Sequence, residues 1–164
     1  MIQKKNMQRD SGIGISGRLV VKVCDVKTGR VLRVHRGKNQ ITYDGLIGVI
    51  SLLAQDTLPT PSDLQIAYLA VGTNNTPATQ GDVSLGNQVF KIPLSSANRQ
   101  QVGATQQLVV TAQLGNSDAN GYDICEAGLL CGNNTMFSRL TFAPEHKTAA
   151  FILQFGWTLT LKAL

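Results

Sequence analysis

The chain has 164 residues, of which 43% are hydrophobic and only 15% are charged, and its formal net charge is +5. This length fits one domain with its own core, and a surface rich in Gly, Thr, Asn and Gln is typical of β-sheet with uncharged turns. No apolar run is long enough to span a membrane, and the start of the chain lacks the apolar segment of a secretory signal, so we expect no membrane partner.

Positive charge is concentrated at the start of the chain. Residues 1–38 hold ten Lys or Arg against two Asp, a local net charge of +8, whereas residues 39–164 carry a net charge of −3. Residues 1–16 have no apolar period and predict a flexible basic arm. Residues 18–36 alternate apolar and polar side chains around a DVKTGR turn, which predicts a β-hairpin with a cationic face and with Gly29 at positive φ.

This asymmetry indicates that the basic segment meets something negative, which is either nucleic acid or an acidic protein surface; the alternative is a solvated hairpin without a partner. Nucleic acid is the less favoured partner, because residues 1–42 contain no Phe, Tyr or Trp on which a base could stack. The candidate partner-docking residues are Lys4, Lys5, Arg9, Arg18, Lys22, Arg30, Arg33 and Arg36.

One helix interrupts the β pattern. Residues 44–55 place apolar side chains at helical spacing, which predicts a short helix with one buried stripe. Asp44 or Thr42 can cap its start, and no second helical pattern follows. The stripe consists of Leu46, Ile47, Val49, Ile50 and Leu53.

The rest of the chain predicts strands, about eight in total with the hairpin. Residues 151–161 are the clearest, because the odd positions hold Phe, Leu and Trp while the even positions are mostly polar. Residues 66–71 are apolar throughout, as in a strand buried on both faces, and Pro93 indicates an edge or a bulge. We therefore predict an all-β, antiparallel β-sandwich or jelly-roll-like body over residues 17–164 as one domain.

A long polar connector, residues 72–88, separates two of these strands and contains a single charge, Asp82. Such a loop is uncommon in a compact domain. It predicts either a segment that lies against a neighbouring subunit or a mobile surface loop.

Residues with catalytic or metal-binding chemistry are scattered. Cys24, Cys125 and Cys131 form no CxxC pair, and His35 and His146 lie far apart in the sequence. No nucleophile, phosphate-loop or metal motif is present. We therefore expect no disulfide, no metal, no cofactor and no enzymatic activity.

The position of the hairpin turn around residues 131–136 determines which side chain lies opposite Glu126. If Gly132-Asn133 is a two-residue turn, which the Gly favours, Glu126 lies directly opposite Arg139 and the two form a cross-strand pair. If Asn133-Asn134 is the turn instead, Glu126 faces Thr141 and Arg139 faces Gly128.

Three stretches, residues 38–54, 66–91 and 124–161, carry a set of motifs in a particular order. A hydrophobic helix is followed by AVGT, then Pro and Asp, then Leu, and finally an EAGL hairpin that leads to an alternating strand. The matching residues are Asn39, Gly45, Ala70 to Thr73, Pro77, Asp82, Leu85, Glu126 to Leu129 and the final strand. The order and spacing resemble small structural proteins of tailed bacteriophages, described as tail, tail-fibre or virion proteins. The chain departs from the family where Asn87, Gln88 and Lys91 replace an acidic residue and an Arg, and where Asn74 replaces a Gly.

The resemblance implies a non-enzymatic structural subunit of a bacteriophage particle, assembled in the host cytoplasm and located in the virion. It favours the tail, baseplate or fibre-attachment region, with other virion proteins and copies of itself as partners. The alternative is a capsid decoration protein, and a nucleic-acid-binding module is less favoured.

Overall fold

A computed structural model describes residues 12–54 and 60–164 of the chain. These residues form nine strands and two helices. The strands are β1 (Ile13–Asp25), β2 (Val31–Ile41), β3 (Ile66–Gly72), β4 (Gln88–Pro93), β5 (Ser96–Val102), β6 (Thr105–Leu114), β7 (Asp123–Cys131), β8 (Met136–His146) and β9 (Phe151–Ala163), and the helices are α1 (Tyr43–Ala54) and α2 (Pro61–Leu64).

All nine strands belong to one curled sheet in the order β4-β3-β7-β8-β2-β1-β9-β6-β5, and every neighbouring pair is antiparallel. The predicted all-β antiparallel class is confirmed, while its description as a sandwich or jelly roll stays a prediction. Leu94 and Ser95 connect the two edge strands β4 and β5. Their N–H groups donate to Ala67 of β3 at 3.0 Å and to Thr111 of β6 at 2.7 Å, so the sheet curls until its edges lie close together.

The core lies inside the curl. Alternation along β1 and β9 produces it, since Leu19 of β1 pairs with Trp157 of β9 and both side chains are almost fully buried. Val110 of β6 pairs with the same Trp157 from the other side. Six apolar residues occupy the odd positions of the last strand from 151 to 161. The four in the middle are buried, whereas Phe151 is partly buried and Leu161 is exposed.

Several sequence-based boundaries need correction. Residues 13–16, predicted as part of a flexible arm, belong to β1 and pair with β9, whereas residues 1–11 lie outside the described residues. The strand β5 was not predicted, because it is a largely polar, exposed edge strand without apolar alternation. The predicted helix 44–55 is observed as Tyr43–Ala54, and the short α2 was not predicted.

Other local predictions are confirmed. Gly29 has a φ of +70° in the turn between β1 and β2. Pro93 lies in an edge strand. Leu69, Ala70 and Val71 are all buried, so consecutive side chains of β3 are covered on both faces of the sheet.

Candidate interaction surfaces

The outer face of β7 and β8 carries a buried ionic network that holds the 72–88 loop. Glu126 is fully buried, and its carboxylate accepts hydrogen bonds from the backbone N–H groups of Asn74 at 3.2 Å, Gly86 at 2.9 Å and Asn87 at 2.8 Å. Arg139 Nε donates to Glu126 Oε2 at 2.9 Å. One side chain therefore satisfies backbone groups at both ends of the loop, where no strand partner is available.

Arg139 extends this network to the middle of the loop. Its Nη1 atom donates to Asp82 Oδ2 at 2.8 Å, and Asp82 also accepts from the backbone N–H and the hydroxyl of Thr79. Burial acts to raise the pKa of Asp82, but the hydrogen bonds from Thr79 and Arg139 outweigh it and lower that pKa. The carboxylate is thus held in its charged form at neutral pH.

A small apolar cluster completes the attachment. Leu85 of the loop packs with Ala70, Leu130 and Met136 on the side of β3, β7 and β8 that faces away from the main core. The loop is therefore ordered by residues of its own chain. The sequence left open a mobile loop or one that lies against a neighbouring subunit, and these contacts argue against a mobile loop.

The predicted register of the β7–β8 hairpin is wrong, although its two ionic side chains meet. Glu126 pairs with Thr141 and Arg139 pairs with Gly128. The side chains reach each other along the diagonal, over Gly128, with Arg139 Nη2 at 2.8 Å from Glu126 Oε2. The contact survives the change of register because both residues stay on the same face and are long enough to span the diagonal.

The candidate docking residues separate into different environments. Lys4, Lys5 and Arg9 lie outside the described residues. Arg30 is exposed in the turn between β1 and β2.

The other candidates lie in β1 and β2, where side chains point alternately toward the core and outward. Arg18, Lys22 and Arg36 occupy the alternate positions, with exposed side chains on the outward face of β1 and β2. Lys38, which was not among the candidates, pairs directly with Arg18 and is also exposed. We call these four residues, Arg18, Lys22, Arg36 and Lys38, the basic face.

Arg33 does not belong to the basic face. It pairs with the core residue Val23, and its guanidinium forms a double hydrogen bond with Glu145 of β8, Nε to Oε1 at 2.8 Å and Nη2 to Oε2 at 2.7 Å. His35 Nε2 lies 2.6 Å from Glu145 Oε1. Burial acts to raise the pKa of Glu145, but Arg33 and His35 outweigh it and lower the pKa. No local sequence pattern indicates this pairing, because more than 100 residues separate the partners.

The charges around the basic face are one-sided. In β1, β2, β5, β6 and β9, Asp25 is the one acidic residue, and it lies at the last position of β1, where it accepts bonds from the following turn. Outward neighbours such as Thr158 and Gln154 of β9 are uncharged. The described residues of these five strands therefore place no carboxylate on the basic face, and the arrangement can attract an anionic surface.

The helix α1 presents a second surface that the sequence did not predict. Leu46 and Val49 pack against the core, but Ile47, Ile50 and Leu53 are 62%, 64% and 74% exposed. The predicted buried stripe is therefore wrong for three of its five residues. Helical spacing identifies an apolar face, but it does not tell whether the same chain covers that face.

The described side chains offer little reactive chemistry. No group of three or more His, Cys, Asp or Glu residues in residues 12–54 and 60–164 is arranged to hold a metal ion. All three cysteines are free and buried, and burial raises the pKa of Cys131 to about 11, so its thiol is protonated at neutral pH. His146 Nδ1 and Asp123 Oδ1 lie 2.7 Å apart, and both side chains are more than half exposed. Neither described helix is long and apolar enough to cross a membrane.

Family models, curated proteins and solved structures were all compared with the chain, and none of the three comparisons gave a match.

Proposed function

We propose that this chain is a non-enzymatic structural subunit of a bacteriophage particle, and that it docks on neighbouring virion proteins through its basic face. The bacteriophage setting rests on the three stretches of sequence that resemble small tail and virion proteins. The docking role rests on one observation above all: Arg18 and Lys38 are direct cross-strand partners on an outward face.

Like charges directly opposite each other destabilise a sheet. In an isolated chain, Arg18 and Lys38 are unfavourable neighbours, with Lys22 and Arg36 close by on the same face. An acidic surface that covers them removes this repulsion and gains charge-assisted contacts. The residues are therefore better explained by a bound partner than by the stability of the free chain.

An acidic protein surface fits this face better than a nucleic acid. Phosphate binding needs only positive charge, but single-stranded nucleic acid is usually held by aromatic side chains as well. The aromatic residues of β9, Phe151, Phe155 and Trp157, occupy the odd positions that point toward the core. The outward positions around the basic face carry Thr, Gln, Val and Gly instead.

Quantitative mass spectrometry tests whether the chain is part of the particle. The sample is bacteriophage particles, purified on a density gradient from a host culture that produces the chain. A constant ratio to the main shell or tail protein supports the proposal. Presence in the lysate together with absence from purified particles contradicts it. Copy number also separates the two locations, since a decoration protein occurs in hundreds of copies and a tail or baseplate ring in about a dozen.

A separate variant tests whether the basic face docks on a partner. Reversal of charge in the double substitution Arg18→Glu and Lys38→Glu should leave the fold intact and strongly reduce incorporation into particles. The matched control is Arg99→Glu, which reverses an exposed arginine on the edge strand β5, outside the basic face. Equal incorporation of both variants would rule out docking through this face. Binding of the wild-type chain to DNA or RNA with a steep salt dependence, lost in the double variant, would support the nucleic-acid alternative.

A further inference from the structure

The outward side of α1 is an apolar surface that the described residues leave largely exposed. Along this helix, Tyr43, Ile47, Ile50 and Leu53 are between 57% and 74% exposed. Their spacing of four, three and three residues places them along one side of the helix. A row of large exposed apolar side chains at this spacing is the pattern by which helices dock on a partner.

A groove runs beside this helix. It has a volume of about 1130 Å³ and lies between α1 and the facing ends of β1 and β2. Ile13, Ile15 and Ile41 contribute apolar wall from the strands, and Ile50 and Leu53 contribute it from the helix. Small-molecule pockets are usually about 300–1,000 Å³ and mostly enclosed. This larger and open groove suits an element of secondary structure better.

Charge identifies which element fits. The described residues that line the groove include two cations, Arg18 and Lys38, and no acidic residue. An occupant should therefore be apolar and carry negative charge. The helix α1 has this character itself, since it contains Asp44 and no Lys, Arg or Glu. Asp44 lies in the first turn of α1, next to the exposed row.

We infer that two copies of the chain associate through α1, and that the helix of each copy lies in the groove of the other. A two-fold arrangement fills both grooves at once, because helix and groove adjoin on the same surface. α1 has 12 residues and a length of about 18 Å. The contact brings apolar side chains together and pairs the acidic first turn of each α1, which holds Asp44, with the groove cations of the other copy.

This contact deepens the proposed structural role, since it makes a second copy of the chain the neighbour that meets Arg18 and Lys38 of the basic face, and to that extent it rests on the proposed function. Its test needs only the purified full chain in solution. Particle membership can therefore fail while the dimer stands, and the dimer can fail while particle membership stands.

The first measurement is molar mass by sedimentation equilibrium over a range of concentrations. The wild-type chain should form a dimer, and Ile50→Glu should weaken it by about thirty-fold or more, which is the effect of losing an interface hot spot. Because Ile50 is 64% exposed, the variant should keep the wild-type fold as a monomer, which circular dichroism measures. The matched control is Val26→Glu, in the turn that follows the far end of β1, which should dimerise normally.

Cysteine cross-linking tests the geometry. The three natural cysteines are buried, so Ile50→Cys introduces an accessible thiol on α1. Mild oxidation should convert Ile50→Cys to a covalent dimer, whereas Val26→Cys should stay monomeric. A monomeric wild-type chain at every concentration would overturn the inference. So would a dimer that Ile50→Glu leaves unchanged, because its contact would lie elsewhere.

Discussion

Glu126 shows how one buried carboxylate fixes the course of a long polar loop. Its oxygens accept three backbone N–H groups and the Arg139 guanidinium. Replacing it by Gln keeps the shape but substitutes an N–H₂ donor for one acceptor, so donors face each other inside the protein. We expect Glu126→Gln to lower the free energy of unfolding by about 3–5 kcal/mol, the usual cost of breaking a buried ion pair. Urea denaturation measures this.

Two controls separate the network from general destabilisation. Asp123→Asn alters the exposed pair with His146 and should change stability by about 1 kcal/mol or less. In the Glu126→Gln variant, hydrogen exchange should accelerate at Asn74, Gly86 and Asn87 before the sheet opens. A double-mutant cycle with Arg139→Gln should give a clear coupling energy. A coupling near zero would show that the pair adds nothing beyond its separate contacts.

Glu145 makes stability depend on pH in the acid range. Its folded-state pKa lies below the ordinary value of 4.5, because the bonds from Arg33 and His35 outweigh the effect of burial. The unfolded chain therefore takes up the proton first, so this contribution is fully present above pH 4.5 and is lost as pH falls through the folded-state pKa.

We expect Glu145→Gln to be less stable than wild type at neutral pH and to approach it in acid. Urea denaturation at a series of pH values from about 6 to about 3 measures the difference. If the free energies of unfolding of the two proteins changed with pH in parallel, the loss of stability in acid would not come from Glu145.

The Glu126–Arg139 contact shows what the sequence can specify at this scale. The alternation of side chains along two antiparallel strands predicts that both residues lie on one face of the sheet, as observed. The exact register depends on the turn, where the sequence offered two answers. The Arg33–Glu145 pair had no such local rule, because the two residues are far apart in the chain and meet only once β2 and β8 share the curled sheet.

At the scale of elements, the turn between β7 and β8 explains the wrong register. Asn134, and not Gly132, holds the left-handed conformation, with a φ of +67°. Asn is the residue other than Gly that tolerates it best. Gly132 is needed for another reason, because a Cβ atom there would lie 2.7 Å from the backbone oxygen of Ser62 in α2. The preferred residues of a two-residue turn do not predict a contact with a helix that is distant in the sequence.

This difference gives a matched pair of substitutions. Gly132→Ala should lower the free energy of unfolding by about 1–3 kcal/mol, since α2 or the turn must move to admit the methyl group. Asn134→Gly should change it by about 0.5 kcal/mol or less, since glycine adopts positive φ readily and only an exposed bond from Lys91 is lost. Chemical denaturation compares the two. Greater damage from Asn134→Gly would show that the Asn side chain, and not the close approach of Gly132 to α2, maintains the turn.

The predictability of each element follows from how much of it is buried. β9 has a core face on one side and polar residues on the other, so period two revealed it. β5 is an exposed edge strand with little apolar pattern. Only the strand propensity of its residues could have identified it, and that propensity is too weak to do so. For α1 the apolar pattern was correct, but the assumption that this chain buries it was wrong.

At the scale of the whole molecule, the sequence predicts strands but not their order. β4 and β5 are consecutive in the chain yet occupy opposite edges of the sheet. Their connection at Leu94 and Ser95 requires the sheet to curl, and no local pattern encodes that long-range closure. The first and last strands lie side by side, with Ile13 paired to Ala163 at one end and Asp25 paired to Phe151 at the other.

This pairing brings the two ends of the described fold together, since the Leu164 N–H donates to the Gly12 carbonyl oxygen at 2.7 Å. A chain in which a short glycine linker joins residue 164 to residue 12, with new ends between Gly103 and Ala104, should therefore fold. The opening lies in the exposed turn between β5 and β6, where a break removes little structure. The fluorescence of buried Trp157 and the near-ultraviolet circular dichroism should match those of the natural order. A second permutant opened at Gly156, in the middle of β9 between β1 and β6, should fail to fold, because it divides the strand that carries the core. If both permutants fold equally well, continuity of β9 is not what holds the sheet together; if both fail, the junction of the ends is not as close as the Gly12 to Leu164 bond requires.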